Sequence, residues 1–275
     1  MRGRRLSQGL IHFSLIVLLA PTLYPVFFML ATSLKTNRQF YKSFWGFSWP
    51  LVFSNYSVAW DGVHQYVLNS ILVTVLSVAG IVVVSVLSAY VFARFSFPLK
   101  NLLFYGILAL LMVPALLTLV PLFLEVKTFG LLNTYWALIL PYMAGGQVLG
   151  IFILRAFFES LPKELFEAAR IDGAREITIL FRVAIPLSYA PIGAVAILNA
   201  LNVWNDFLWP MVVLPDQSKW TIPLGLMNLQ GQYVLREIWG PLFAAYVIAS
   251  LPIVILFALT MKTFIKGLTA GAVKM

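Results

Sequence analysis

Six long apolar segments constrain the fold of this chain more than any other feature of its sequence. They cover residues 10–31, 66–93, 102–124, 135–154, 188–209 and 241–261. Each is close to the roughly 20 mainly apolar residues that a helix needs to cross a bilayer. Charged residues make up only 11% of the chain, which is too few to cover six such segments in a soluble protein. We therefore expect an all-α membrane protein with six transmembrane helices.

The distribution of basic residues about these segments predicts an orientation. If the first segment starts in the cytoplasm and the six alternate, 13 of the 19 lysines and arginines fall inside and 6 fall outside. An excess on the cytoplasmic side is the usual pattern in membrane proteins. Both termini are therefore expected in the cytoplasm (N-in and C-in), and the net charge of +9 need not indicate a nucleic-acid partner.

The connections between the segments indicate a single transmembrane domain over residues 1–275. Two cytoplasmic parts are expected, a loop at about 155–187 and a tail at about 262–275. The first segment follows basic residues as in a signal peptide, but it is too long for one and lacks a small-residue cleavage site. We interpret it as an uncleaved span. The chain has no cysteine, which excludes disulfides and thiolate metal sites.

The loop at 155–187 begins with signals for a short helix. Ser160 can cap its N-terminus, Pro162 is tolerated in its first turn, and Glu164 is favourable near the positive end of its dipole. The helix is expected to end near Asp172.

A glycine separates this helix from a second one. Gly173 can take the left-handed conformation that closes a helix. The second helix is predicted over 174–183 and is expected to stop before Pro186.

The first loop helix carries an apolar patch of mostly small residues, for which two interpretations remain open. The patch comprises Leu165, Phe166, Ala168 and Ala169. It could dock into a groove on a partner protein, or it could lie on lipid as one face of an amphipathic helix.

The spacing of the loop residues resembles the EAA loop of binding-protein-dependent ABC importer permeases. The pattern of that family is EAA, three residues, G, nine residues, then I-x-L-P. This sequence has the matching residues at Glu167, Ala168, Ala169, Gly173, Val183, Ile185 and Pro186. Every spacing holds, and the loop lies between the fourth and fifth segments on the predicted cytoplasmic side.

Further motifs narrow the resemblance to the carbohydrate-uptake permeases, and to the subunit type of the smaller maltose permease. They are Thr32-Ser33-Leu34-Lys35, Asn69-Ser70, Trp204-Asn205-Asp206-Phe207-Leu208-Trp209-Pro210, and the tail from Lys266 to Lys274. The resemblance covers nearly the whole chain. It implies the type I permease fold of ABC importers, in the prokaryotic cytoplasmic (inner) membrane.

The resemblance also implies partners. They are a second permease forming a heterodimer, two ATPase subunits on the cytoplasmic side, and an outer solute-binding protein that delivers a sugar or oligosaccharide. The dipeptide Gly-Lys is absent, so no Walker A loop can bind ATP here. ATP and Mg²⁺ are therefore expected in the ATPase partner, and this chain is expected to hold no cofactor or metal and to catalyse no reaction.

Two sets of residues are candidates for contact with the ATPase subunits. In the loop they are Glu167, Ala168, Ala169, Asp172, Gly173 and Pro186. In the tail they are Gly267, Leu268, Thr269, Ala270 and Gly271. The alternatives are that Glu167 and Asp172 are merely solvated and that the tail is a frayed terminus.

Polar residues in the fifth segment are candidates for a substrate path. Asn199, Asn202 and Asn205 lie three residues apart, with Asp206 next to the last of them near the outer end. At about 100° per residue they follow one face of a helix. They could line an aqueous path and bind sugar hydroxyls, or they could form hydrogen bonds between helices. Further candidates in the fourth segment are Tyr142 and Gln147.

Two other functions and one other substrate class are alternatives. A secondary transporter would usually show repeats and intramembrane carboxylates, and neither is evident. An intramembrane enzyme has no support, because His12 and His64 are near opposite faces and no H-E-x-x-H occurs. A phosphorylated polyol such as glycerol phosphate remains an alternative substrate. Few cations lie in the spans, which favours a neutral ligand, but the partner permease could supply them. The sequence does not identify the sugar.

Overall fold

Helices account for almost all of the structure, a computed structural model that describes the backbone of residues 2–270 and the side chains of residues 12–261. No β-strand occurs in this described backbone, so the prediction of an all-α protein is confirmed. The helices are α1 (Arg2–Ser33), α2 (Asn37–Lys42), α3 (Ser54–Arg94), α4 (Lys100–Ala109), α5 (Ala115–Thr128), α6 (Trp136–Ser160), α7 (Lys163–Ile171), α8 (Glu176–Ile179), α9 (Ile185–Leu187), α10 (Tyr189–Asn205), α11 (Leu208–Val213), α12 (Ile222–Leu235) and α13 (Trp239–Ala270).

Four helical stretches within the described residues are long and apolar enough to span a membrane. They are His12–Ser33, Ser54–Arg94, Trp136–Ser160 and Trp239–Met261. The other two predicted segments coincide with bent helix pairs. One pair is Lys100–Met112 with Ala115–Thr128, bent by 103°, and the other is Glu176–Leu187 with Tyr189–Asn205, bent by 79°. The count is six if each bent pair is one span.

The third predicted segment, 102–124, is broken at a proline. Val113 is extended, with φ −81° and ψ 116°, because the ring of a following proline disfavours the helical conformation. Pro114 also lacks the N–H that would continue the hydrogen-bond ladder. A new helix, α5, starts directly after it. Pro121 and Pro252, by contrast, lie inside continuous helices.

The fifth predicted segment, 188–209, is interrupted at both of its ends. Ser188 is not helical, with φ −112° and ψ 14°, and it lies at the bend before α10. Pro191 in the first turn of α10 has no N–H to donate to the carbonyl four residues earlier, which disfavours a continuous helix at this point. At the other end Asp206 is extended, and the chain resumes as α11 at Leu208.

The chain divides into two compact units, and one comprises residues 1–64 and 225–251. Its most buried cation is Lys35, which is 1% exposed. The Lys35 ammonium donates to two carbonyls of the segment after α2, at 2.7 and 3.1 Å. Asn55 donates to the carbonyls of Ser33 and Lys35, each at 2.9 Å. These bonds tie the end of α1 to the start of α3 and supply the partners that a buried charge requires.

The other unit comprises residues 65–224 and 252–275 and contains both candidate functional regions. In it α6 packs against α10. Near the first residue of this unit, Asn69 accepts a hydrogen bond from the Tyr135 hydroxyl at 2.8 Å and donates to the carbonyl of Trp220 at 2.9 Å. The Asn-Ser motif that begins the second segment therefore has a structural role in this unit. The expectation of a single domain stays a prediction.

Candidate functional site

The first loop helix, α7, starts two residues later than the capping signal predicts. Ser160 is the last residue of α6, and its hydroxyl donates to the carbonyl of Phe157 at 2.8 Å. Capping by Ser160 was therefore a wrong prediction. Pro162 occupies the N-cap position without a side-chain hydrogen bond, and Glu164 lies in the first turn, where its charge is favourable.

The C-terminus of α7 is closed by a Schellman motif that depends on Gly173. Gly173 has a φ of +79°, which confirms the predicted left-handed conformation. Its N–H donates to the carbonyl of Arg170, and the N–H of Ala174 donates to the carbonyl of Ala169, both at 3.0 Å. These two bonds satisfy carbonyls that would otherwise be free at the end of the helix.

The second loop helix differs from its prediction, because the chain does not stop before Pro186. Helix α8 passes into a π-helical turn, Leu180–Ala184, and then into α9, in which Pro186 is the second residue. In the wide turn the N–H of Ile185 bonds to the carbonyl of Leu180, five residues back. The wider spacing accommodates a proline ring that would clash with the carbonyl four residues earlier in a regular α-helix.

The inner face of α7 is anchored by Phe166, which is 1% exposed. Phe166 packs in a cluster with residues of α3, α6 and α8, including Tyr90 and Phe158. The guanidinium of Arg94 lies over its ring, with Cζ 3.7 Å from the ring centroid. Arg94 also donates to the carbonyls of Phe158 at 2.6 Å and Leu161 at 3.0 Å, where α6 ends. Phe166 is therefore a core residue, and its assignment to the outward patch was wrong.

A polar link joins α7 to α8 and α3. The Nε of Arg170 donates to one oxygen of Glu176 at 2.7 Å, and the Tyr90 hydroxyl donates to the other at 2.8 Å. The hydrogen bond to Glu176 is also the main cause that raises the pKa of Arg170, so this guanidinium stays charged. The link fixes the angle of α7 relative to the rest of its unit.

The outer face of α7 is exposed among the described residues and carries an apolar stripe. Leu165 is 44% exposed and Ile171 is 86% exposed, and Ala168 lies between them and is also exposed. Residues three apart are neighbours on a helix surface, so these three form one stripe. Sequence reasoning missed Ile171, although the spacing of three from Leu165 and Ala168 was a usable signal.

Acidic residues flank this stripe. The exposed carboxylates are Glu164, Glu167 and Asp172. Within the described residues neither Glu167 nor Asp172 forms an ion pair. The outer face of α7 can therefore offer an apolar centre with an acidic border to another molecule.

A second candidate region is a cavity of about 380 Å³ between α6 and α10. Its polar lining comes from Tyr142, Asn199, Asn202 and Asp206. Asn205 lies outside it and donates to the carbonyl of its own helix, at Leu201, at 2.8 Å. The structure thus brings together three of the four predicted path residues and Tyr142, one of the two further candidates in the fourth segment. Gln147 is not part of the lining and bonds within α6.

Asp206 is held at the break between α10 and α11. One carboxylate oxygen accepts from the Tyr142 hydroxyl at 2.9 Å. The other accepts from the backbone N–H groups of Leu208 and Trp209, at 3.0 and 3.3 Å. Asp206 is half-buried, and these hydrogen bonds within the chain hold its carboxylate at the break.

Asn199 is held close to α6 by the absence of a side chain at Gly146. Asn199 is 5% exposed, and its amide donates to the carbonyl of Val195 at 2.9 Å. A Cβ atom at Gly146 would lie only 2.5 Å from the Asn199 Oδ1. The small residue therefore leaves space for this carbonyl oxygen beside the cavity.

The remaining predicted contacts are in the C-terminal tail. The side chains of Gly267, Leu268, Thr269 and Ala270 lie outside the described residues, as does Gly271 entirely. In the part of the chain whose side chains are described, no group of three or more His, Cys, Asp or Glu residues could hold a metal ion.

Comparison with known proteins identifies a family model that matches residues 81–269, and its description is a binding-protein-dependent transport system inner membrane component. The match covers α7, the Schellman motif and the cavity between α6 and α10. It therefore includes both candidate regions.

Similar proteins of known name are transport permeases. A diacetylchitobiose uptake system permease protein of Streptomyces coelicolor is 35% identical over 94% of this chain and 87% of its own length. An sn-glycerol-3-phosphate transport system permease protein of Yersinia pestis is 31% identical over 98% of each chain. A crystal structure of a bacterial ABC transporter involved in the import of the acidic polysaccharide alginate includes a chain that matches with a TM-score of 0.82. That match has 23% identity and covers 96% of this chain and 98% of the other.

Proposed function

The chain belongs to the family of binding-protein-dependent transport system inner membrane components, and from that premise we propose that it is one permease of a heterodimeric sugar importer driven by ATP. A solute-binding protein delivers a sugar or oligosaccharide at the outer face. A second permease completes the translocation path. Two ATPase subunits on the cytoplasmic side bind ATP and Mg²⁺ and supply the energy. The members of this family are transport permeases and not enzymes.

The observation that carries this proposal is the two-sided character of α7. Its inner face is fixed by Phe166, Arg94 and Arg170, and its outer stripe is exposed. A helix of nine residues is too short to be stable alone in water, so its anchoring makes it a rigid contact element. A rigid helix can transmit a push from a docked ATPase to α6 and α10. Glu167, Ala168, Ala169, Asp172, Gly173 and Pro186 belong to this coupling loop.

The proposed substrate path runs through the cavity between α6 and α10. Amide and hydroxyl groups of Asn199, Asn202 and Tyr142 can donate to and accept from sugar hydroxyls. The cavity lining includes a carboxylate, Asp206, and no lysine or arginine. The negative charge of Asp206 favours a neutral ligand over an anionic one.

A phosphorylated polyol is the second candidate substrate, and the similarity to a glycerol-phosphate permease is the observation in its favour. A phosphate in this cavity would face Asp206 without a compensating cation from this chain. The partner permease would then have to supply the basic groups. We therefore place the neutral sugar first.

Calorimetry on the associated solute-binding protein tests the choice of substrate. The proposal expects that protein to bind a neutral oligosaccharide and not a glycerol phosphate. Tight binding of the phosphorylated compound alone would instead support the second candidate.

The tail at 262–275 is proposed as an additional contact to the ATPase, through Gly267, Leu268, Thr269, Ala270 and Gly271. Its support is its position after the last segment and its likeness to the tail of the family. Deleting it should impair ATP hydrolysis coupled to transport and leave membrane insertion intact. Normal coupling in the truncated protein would count against this contact.

A further inference from the structure

A basic cavity lies beside α7, on the side away from its exposed stripe, and it belongs to neither candidate region described above. Its volume is about 330 Å³, and it is formed by the end of α3, the turn that follows, the start of α4 and the inner side of α7. Four cations line it: Arg94, Lys100, Lys163 and Arg170. One carboxylate, Glu167, also lines it.

The charges in this cavity are not balanced within the described chain. Counting Glu167 and the Glu176 partner of Arg170, four cations face two carboxylates. The Lys163 ammonium forms no hydrogen bond or ion pair with the described residues, and the Lys100 ammonium donates to the carbonyl of Phe95 at 3.0 Å.

Arg94 contributes an unsatisfied donor to the same region. Its Nε is buried and has no acceptor among the described residues, although its Nη2 is bonded to two carbonyls. The Arg94 guanidinium therefore adds positive charge to the cavity wall, while its Nε lies below the accessible surface. Phosphate offers several oxygen acceptors and suits such a set of arginine and lysine donors.

The residues around the cavity indicate which kind of phosphate compound it binds. The turn after α3 and the first turn of α4 expose large apolar side chains, with Leu99 67%, Leu102 66% and Leu103 51% exposed. These leucines adjoin two helices of candidate membrane spans. A phosphate linked to acyl chains could therefore place its charge in the cavity and its chains along the leucines, as basic pockets at a membrane interface do with acidic lipids.

We propose that this cavity binds the phosphate headgroup of an acidic phospholipid, with Lys100 and Lys163 as its main free cations. The bound lipid fills the space between α3, α4 and α7 and neutralises the excess positive charge there. The site is separate from the sugar path, and it shares Glu167 and Arg170 with the coupling helix α7.

Native mass spectrometry of the full chain in detergent, titrated with phosphatidylglycerol or phosphatidylcholine, tests the site. The double variant Lys100→Gln/Lys163→Gln should weaken the tightest phosphatidylglycerol binding by about 25-fold, from about fivefold per cation removed. The charge-preserving Lys100→Arg/Lys163→Arg should retain it. Arg175→Gln is the matched control, because Arg175 is an exposed cation of the same loop outside the cavity, and it should bind like the wild type.

Three results would overturn the proposal. One is phosphatidylglycerol binding that is unchanged in Lys100→Gln/Lys163→Gln. If that variant instead retains the ATPase subunits poorly, the two lysines belong to the ATPase contact. Another is equal binding of phosphatidylcholine and phosphatidylglycerol. The third is competition by inorganic phosphate as strong as that of the lipid, which would make the site one for free phosphate. All proteins are compared only after gel filtration shows the same elution volume, so that misfolding does not imitate a loss of binding.

Discussion

Gly173 has a backbone conformation that other residues adopt only with strain. Its φ is +79°, and a Cβ atom placed there would meet nothing within 4 Å. The cost of substituting it therefore comes from the backbone alone, at about 1–2 kcal/mol for an ordinary residue. This strain would act on the Schellman motif that sets the end of α7.

Replacement of Gly173 should uncouple the importer without disturbing its path. We expect Gly173→Ile to insert and pair with the second permease but to retain the ATPase poorly or hydrolyse ATP without transport. Gly173→Asn should be milder, because asparagine tolerates the left-handed conformation. Pull-down of the ATPase, with uptake and hydrolysis in proteoliposomes, measures the effect.

Gly173→Ala and Gly106→Ala form a matched pair for this prediction. A Cβ atom at either position meets no atom within 4 Å, but only Gly173 has a positive φ. Gly106→Ala should behave as the wild type and Gly173→Ala should not. Wild-type recruitment and coupling in all Gly173 variants would refute the role of the loop.

Substitutions of Asn202 and Asn205 test whether the asparagines of α10 line a substrate path or form hydrogen bonds between helices. Both side chains are exposed in this chain, but only Asn202 lines the cavity. Asn202→Ala should reduce uptake or raise the apparent KM for the sugar by about fivefold, the loss of one hydrogen bond. Asn205→Ala is the control and should transport normally. Equal effects of the two changes would show that the cavity is not the path.

At the scale of elements, α7 shows which parts of the loop the sequence predicts well. The position of Gly173 and the closing of α7 follow from local rules, because a glycine in the left-handed conformation commonly closes a helix. The inward direction of Phe166 does not, since it depends on Arg94 and Phe158 from distant parts of the chain. The π-helical turn before Pro186 was also unpredictable, because proline usually ends a helix and no local pattern here indicates the wider turn that accommodates its ring.

The same limit applies to the cavity. The asparagine spacing predicts one helical face, but it cannot show that α10 ends at Asn205 and leaves that residue outside. The pairing of Tyr142 with Asp206 links residues 64 positions apart, and no periodicity reveals such a contact.

Chemical labelling of the exposed stripe of α7 distinguishes docking on a protein from contact with lipid. The chain has no cysteine, so Ile171→Cys gives a single site for a water-soluble maleimide. We expect fast labelling in the permease pair alone and protection once the ATPase is added, because a protein groove then covers residue 171. Fast labelling with and without the ATPase, or protection in both states, would contradict docking. Ile171→Leu serves as the functional control, because it keeps the apolar side chain.

At the scale of the whole molecule, the proposal needs six crossings and a cytoplasmic loop. The asymmetry of 13 to 6 basic residues supports N-in and C-in, and the two bent pairs must each count as one crossing. Labelling of single cysteines in sealed vesicles should reach Asp172→Cys from the cytoplasmic side only and Gln230→Cys from the outer side only. A label that reaches residue 172 only from outside would invert the scheme.

The most direct test of the central claim is uptake by the complete transporter in proteoliposomes. The chain is reconstituted with its partner permease, the ATPase subunits and the loaded solute-binding protein, and labelled oligosaccharide uptake is followed with ATP inside or outside. We expect uptake to require ATP on the side of α7, to be unaffected by proton and sodium ionophores, and to be lost in Gly173→Ile. Uptake driven by an ion gradient without ATP would contradict it and would favour a secondary transporter.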